Sequence, residues 1–503
     1  MFDGLTHLAS AFAVFATFTT LFNVAWATLL GIVIGALPGL TATMGVALLT
    51  TLTYKLAPEQ AILILISVYV GAIYGGSRSA ILLNIPGTPA NAATTLDGFP
   101  LARAGRAGEA MGLATSASVL GTFIGVLFLA AVAPILAEFA LGFGSYEYFW
   151  LAIFGIIIAG QMTSFDDAIK GWIAGFLGLL VAMVGQEGIH AEMRFSFGSS
   201  DLAGGIGLIP ALVGAFGFAE ILTVMRNRAA EMATGIVDRV IPKLSTLWTY
   251  KRTIARSGVI GTGVGIIPGV GEDIGAWISY AAARRASKER DLFGKGSREG
   301  LIAAETGNNA AIPGALIPAL TLAIPGSAPA AVLLAAMLIH GIRPGPLIMV
   351  EAPEFVFQVV WMVVLATVAM GILGIALTRP LLTILRVPRE RLMPIVFVLC
   401  VIGPYAITQR LFDVYVMVFF GIVGFILREM KYPMAPLVLG IILGDILDKN
   451  LRRALVLSDG DLTPFFTRPI SAVLWITTLL IVLFALPPVQ RAATRLMRWE
   501  NVR

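Results

Sequence analysis

Gly261 to Ser279 reads GTGVGIIPGVGEDIGAWIS, and Gly31 to Gly45 reads GIVIGALPGLTATMG. Laid over each other without gaps, Gly31, Gly35, Pro38, Gly39 and Gly45 fall on Gly261, Gly265, Pro268, Gly269 and Gly275. Each copy is followed by a second Pro-Gly element, NIPGTP from Asn84 to Pro89 and AIPGSAP from Ala323 to Pro329. Recurrence at constant spacing and in the same order predicts an internal duplication, through which the rest of the chain is read.

Composition sets the class. Hydrophobic residues make up 57% of the 503 and charged ones only 13%, against about 25% charged in ordinary soluble domains. Apolar stretches of about 20 residues recur, the length a helix needs to cross a bilayer core. The expectation is an all-α integral membrane protein of roughly 12 to 14 membrane segments, re-entrant hairpins and broken helices included. The N-terminus lacks the basic start and cleavage site of a removable signal, so the apolar run from Ala9 to Leu40 reads as a first, uncleaved span. The net charge of +5 sits in short loops between apolar runs, which fits topology rather than nucleic-acid binding. The single Cys400 lies in PIVFVLCVIG and reads as a buried, inert thiol.

Gly and Pro decide where helices break. Tyr74 to Gly105 is too polar for a lipid-facing helix and too apolar for a soluble loop. Irregular backbone at membrane depth is tolerated only where protein or a wet cavity surrounds it, so a re-entrant hairpin is expected there. The stretch from Arg226 to Arg256 carries seven Lys or Arg against two acids, and Arg284 to Arg298 carries six against two. Both are expected on the cytoplasmic side. Only 27 residues separate them, and a hairpin turning back at Pro268-Gly269 would keep both on that side. The predicted organisation is a first half over 1–225, a basic connection over 226–256, a second repeat core over 257–350 and C-terminal helices over 351–503.

Chemistry is sought in the broken segments. Half-helix N-termini offer free N–H groups and partial positive charge to carboxylates, and unwound carbonyls hold cations, as in transporters with discontinuous helices. The candidate substrate-binding residues are Pro38, Gly39, Ser77, Arg78, Ser79, Asn84, Pro86, Gly87, Thr88, Pro268, Gly269, Pro325, Gly326 and Ser327. Thr306, Asn308 and Asn309 are the candidate coupling-ion residues, with sodium as the candidate cation. Asn308 and Asn309 within one membrane segment are costly unless paired or lining a cavity. Glu305, Glu272 and Asp273 read equally as cavity or interface residues. Arg78 has two readings, an ion pair with Asp97 or attraction of an anion. The blander reading of each Gly and Pro is helix packing; matched copies make it the weaker one. His7, His190 and His340 are isolated and lack metal-ligand spacing, and no Walker A sequence is present. Nothing points to an enzyme or to a bound cofactor beyond a coupling Na+ or H+.

Four stretches together, YGGSRSAILLNIPGTPANAATTLDGFPLARAG, PGVGEDIGAWISYA, FGKGSREGLIAAETGNNAAIPGALIPALTLAIPGSAPAAVLLAAMLIHGIRPGP and LGDILDKNLRRALVLSDGDLTPFFTRPIS, resemble the large permease subunit of the tripartite tricarboxylate transporters, the TctA family. The resemblance covers nearly the whole chain in order. It implies a multi-pass protein of the bacterial inner membrane, working with a small TctB-like membrane subunit and a periplasmic TctC-like solute-binding protein. The implied cargo is a carboxylate such as citrate, imported on a sodium or proton gradient. Membrane lipid and further copies of the chain are the other expected partners, and nucleic acid is not. Asn84 to Thr88, Ile324 to Ser327 and the pair Asn308-Asn309 match the family's motifs. Arg78, Glu272-Asp273, Thr306-Gly307 and Asp445 depart from its usual residues. Two other classes stay open on the residues alone: a facilitator needing neither gradient nor binding protein, and a membrane-embedded enzyme, for which no nucleophile–base pair appears.

Overall fold

A computed structural model describes residues 10–485 except 13, 38, 164–167, 190, 227–243, 379 and 381–390. Pro38, His7, His190 and most of the basic connection expected over 226–256 lie outside the described residues.

The chain is helical almost throughout. Helices of eight residues or more are α1 (Phe18–Ala36), α2 (Ala42–Thr53), α3 (Pro58–Leu83), α4 (Ala92–Leu101), α5 (Ala107–Ala140), α6 (Ser145–Thr163), α7 (Ala168–Ala182), α8 (Leu208–Arg226), α9 (Lys251–Ile266), α10 (Gly271–Ala286), α11 (Arg298–Leu322), α12 (Ala328–Ile339), α13 (Pro353–Ala376), α14 (Met393–Thr408), α15 (Leu411–Glu429), α16 (Met434–Leu457) and α17 (Pro469–Ala485). One sheet is present among the described residues, the two-residue antiparallel pair Gly185–Gln186 and Met193–Arg194. Among the described residues, six helices are long and apolar enough to cross a membrane, and five shorter apolar helices accompany them. Leu127, Ile135 and Ile372 face outward, as expected where the surrounding solvent is lipid. The protein is thus an all-α, multi-pass membrane protein.

Two compact units share the chain, Met1–Leu141 with Gly207–Ile426, and Gly142–Ile206 with Leu427–Arg503. In the second, α16 packs between α6 and α7. Backbones meet there without side chains between them, since a Cβ on Gly178 would lie 2.1 Å from the Leu437 carbonyl oxygen. Arg194 holds Asp448 through both guanidinium branches at 3.0 and 2.9 Å, and Arg468 donates to Glu147 at 2.7 Å.

The first unit carries the Pro-Gly motifs. Here α1 lies along α3, and α9 along α11. Gly31 and Gly35 press on the backbone of Val68 and Ala72, and Gly261 and Gly265 on that of Gly307 and Ala311. The pairs Gly261/Gly275 and Ser257/Ser279 are in contact, and both pairs are centred on position 268. Helices α9 and α10 therefore form an antiparallel hairpin. Ile267 turns extended at its apex, while Gly269 and Gly271 adopt φ +73° and +55°, which only glycine does without strain. Leu37 and Gly39 (φ +96°) make the corresponding turn before α2.

One expectation needs correction. The backbone does not open at Tyr74: α3 continues unbroken through Ser77-Arg78-Ser79 to Leu83. Gly75 and Gly76 are there for close packing, because Cβ atoms on them would lie 2.3 Å from the Ile32 carbonyl and 2.0 Å from Asn91 Oδ1. The backbone breaks at Asn84–Thr88, where Pro86 has no N–H to continue a helix, and again at Gly105, whose φ is +78°.

Candidate functional site

Two helix ends of the same construction carry the tips. Helix α3 stops on Asn84 at φ 58°, ψ 25°, and α11 stops on Ala323 at φ 57°, ψ 27°. Isoleucine, proline and glycine follow in each. The Gly87 amide then donates back to the Gly76 carbonyl at 3.3 Å, and the Gly326 amide to the Ala315 carbonyl at 3.3 Å. A Cβ on Gly87 would lie 2.0 Å from the Gly35 carbonyl, and one on Gly326 2.2 Å from the Gly265 carbonyl. Each tip thus folds against the glycine-lined helix beside it, and no larger residue fits.

Beyond the turns the chain re-enters helix. Thr88 donates to Asn91 in the turn Pro89–Asn91 before α4. Ser327 caps α12, accepting from the Ala330 amide at 3.4 Å. The Pro268-Gly269 turn joins the second tip, with the Gly269 amide donating to the Pro325 carbonyl at 3.3 Å.

At the tips, two side chains reach across from the opposite half. Tyr69 on α3 shares a 2.8 Å hydrogen bond with Ser327, and Asn308 on α11 donates to the Ala90 carbonyl at 3.2 Å. Tyr69 stands as far before Asn308 as Pro86 before Pro325, so equivalent positions reach the opposite tips. Sequence reasoning passed over Tyr69 because a tyrosine in an apolar run looks like core. The constant offset between tips was the signal that would have found it.

A buried polar network lies behind the first tip. Glu305 on α11 accepts from Ser77 on α3 at 2.7 Å, from Ser118 on α5 at 2.9 Å and from Thr94 on α4. Asn91 donates to Ser77 at 3.1 Å, which connects the carboxylate to the tip turn. Asn309 donates to Ser118 at 2.9 Å and to its own helix at the Glu305 carbonyl. Asn308 and Asn309 therefore serve different partners, because consecutive helical residues diverge by about 100°. The side-chain oxygens of Asn308, Asn309 and Thr306 are buried and accept no hydrogen bond.

Arg78 leaves the tip region altogether. Its guanidinium donates to Thr115 at 2.7 Å and to the Gly374 and Met111 carbonyls, lying 4.6 Å from the Tyr74 ring centre. The proposed pairing with Asp97 is not formed. Asp97 instead accepts the Gly294, Gly296 and Ser297 amides at 2.8, 2.9 and 2.7 Å and the Tyr280 hydroxyl at 2.9 Å. It shapes the loop before α11. Ser79 turns back onto the Gly76 carbonyl at 3.1 Å.

Two tips of like construction, neutral donors and unpaired oxygens are buried inside this multi-pass helical protein, which gives the membrane protein a polar core. The comparisons narrow this. The profile of the tripartite tricarboxylate transporter TctA family matches residues 21–439. A protein of Agrobacterium vitis, described as an uncharacterized 52.8 kDa protein in the TAR-I ttuC' 3'region, is 34% identical over 498 residues, 97% of either chain. A second A. vitis protein, described as uncharacterized and in the TAR-II ttuC' 3'region, is 35% identical over 228 residues, 45% of this chain and 94% of its own length. No solved structure matches. The chain belongs to the TctA family, a family of transporters.

Proposed function

We propose that the chain is the large permease subunit of a binding-protein-dependent secondary transporter of the bacterial inner membrane, importing a tricarboxylate or related organic acid on a sodium or proton gradient. The observation that carries this reading is the pair of matched tips. Each ends a helix, carries a hydroxyl, Thr88 or Ser327, just before the next helical turn begins, and touches a residue from the other half. Free amides at helix starts favour carboxylate groups, and the unpaired oxygens of Thr306, Asn308 and Asn309 favour a hard cation. In this reading the α9–α10 hairpin is re-entrant, and both basic segments flanking it face the cytoplasm. A small TctB-like subunit and a periplasmic TctC-like protein complete the system, the latter delivering the cargo.

The test is uptake of labelled citrate and a dicarboxylate panel into cells making the chain with its small subunit, with and without the binding protein, in sodium or in its absence. Accumulation above the external level that needs both the binding protein and a gradient is the expected result. Equilibrative uptake indifferent to both would replace the proposal with a facilitator, and no uptake of any carboxylate would remove the substrate class.

A further inference from the structure

Glu272 lies one residue into α10, directly after the Pro268-Gly269 turn, and is only 3% exposed. Gly271, the residue before it, packs directly on Ser327 of the second tip, and the Ser327 hydroxyl shares a 2.8 Å hydrogen bond with Tyr69. Glu272 Oε1 has no hydrogen-bond partner among the described residues. No basic side chain pairs with it there, and the neighbouring charge is Asp273, of the same sign. An unpaired carboxylate oxygen cannot be left in a dry interior without large cost; it takes a proton or a metal cation instead.

A second unpaired oxygen lies on the adjacent helix α11. Asn308 Oδ1 is also buried and unpaired. Its amide nitrogen holds Ala90 of the turn Pro89–Asn91, and that turn packs on α10, which packs on α11. Two orphaned acceptor oxygens thus lie on the adjacent helices α10 and α11, the first beside the second tip and the other tied to the first tip turn. Hydroxyls of Ser327 and Tyr69 stand on the Glu272 side.

We propose that Glu272 is a cation-binding residue, taking up one monovalent cation, sodium or a proton, between the two tips, with Ser327, Tyr69 and Asn308 as oxygen partners. Oxygen ligands suit a hard cation, and the start of α10 offsets part of the cost of the charge when the cation leaves. Other titratable groups on the surrounding elements are already satisfied. Asp97 on α4 has three amides and Tyr280, and Glu305 on α11 has three hydroxyls. Helix α12 has no titratable side chain. That leaves Asp273 and Tyr69 as the groups able to alter the Glu272 response. The inference deepens the transport reading by naming where the coupling cation sits, and its test needs no substrate.

The test is thermal unfolding of the full chain in lipid nanodiscs, across a sodium series balanced with choline and, separately, across a pH series without sodium. Wild type is expected to gain stability along one of the two series, saturating as a single site does. Glu272→Gln should shift the half-maximal concentration by about tenfold or more, or abolish the response. Glu272→Asp, which keeps the carboxylate, should retain it and guards against a Gln variant that fails to fold. A sodium response lost in the Gln variant assigns the metal ion, and an acid response lost there assigns the proton. An unchanged response in Glu272→Gln, or none in wild type to either cation, overturns the proposal. Failure of carboxylate uptake in cells would refute the transport reading while leaving this result standing.

Discussion

Removing the Glu305 carboxylate should be among the most damaging single changes in the protein, and its coupling to Arg78 should be measurable. Three hydroxyls on three helices converge on Glu305, and Arg78, wholly buried, is the cation whose charge acts on it. Glu305→Ala leaves that cation uncompensated, a defect worth about 3–5 kcal/mol for buried pairs. The hydroxyls soften the loss because Ser and Thr in helices can turn to the carbonyl a turn earlier. Arg78 makes no ion-pair contact among the described residues, so its attraction to Glu305 is weaker than the ~4 kcal/mol of a pair 4 Å apart at an effective dielectric near 20. A double-mutant cycle of Arg78→Met and Glu305→Gln should therefore give a coupling of about 1–3 kcal/mol, the double variant being less damaged than the sum of the singles. Denaturant unfolding of the full chain in mixed micelles is the assay. Additivity within about 0.5 kcal/mol would show that the two charges do not sense each other.

The remaining expectations concern tips, coupling and the second unit. Gly326→Ala and Gly87→Ala put a Cβ 2.2 and 2.0 Å from backbone oxygens of Gly265 and Gly35, atoms that move only with their helices. Each should cost about 1–3 kcal/mol and depress uptake while the chain still reaches the membrane, as blotting of membrane fractions would check. Ala323→Gly removes a left-handed alanine at φ 57° and should stabilise by about 1 kcal/mol, read as a higher unfolding midpoint. Asn308→Ala should weaken cation-dependent uptake and leave insertion intact; unchanged cation dependence counts against its coupling role. Burial alone would raise the Asp448 carboxyl, yet hydrogen bonds from Arg194 and Arg452 outweigh it and hold the group below its ordinary value. Its stabilising effect is thus full above about pH 3.9, the value in an unfolded chain, and fades as pH falls through the lower folded value. Asp448→Asn should flatten that acid limb in unfolding scans.

The tips were legible in the sequence because their causes are local. Proline lacks an N–H, a left-handed cap suits Asn84, and glycine is demanded wherever a backbone oxygen lies about 2 Å from the missing Cβ, as at Gly87, Gly326, Gly35 and Gly261. The same glycines misled the reading at Tyr74, where close helix packing and helix breaking leave the same residue type and only the structure separates them. Of the Glu305 network, Glu305, Ser77 and Asn309 stood out one by one, but not their convergence. Its members are separated by up to 228 positions, and Thr94 and Ser118 look like ordinary small residues of membrane helices. Arg78 was legible as costly but not as to its partner, since its acceptors are largely backbone carbonyls, which carry no sequence signal.

The reciprocal contacts tie each tip only lightly to the opposite half. Each tip is fixed to its own half by a glycine amide and a backbone-to-backbone contact, which a single side chain does not control. Between the tip segments and the opposite half, by contrast, stand the Tyr69–Ser327 and Asn308–Ala90 hydrogen bonds, each worth only about 1 kcal/mol net. A carrier that alternates between states needs such weak links, because driving an equilibrium from 1:99 to 99:1 already takes about 5.5 kcal/mol of differential binding. Strong latches would raise that requirement beyond what one small anion and one cation supply. In the transport reading, a carboxylate that accepts from Ser327 displaces Tyr69 and releases one link, while a cation at Glu272 engages the same hydroxyl. Substrate and ion then act on one shared atom, the Ser327 oxygen, and their coupling needs no longer path through the protein.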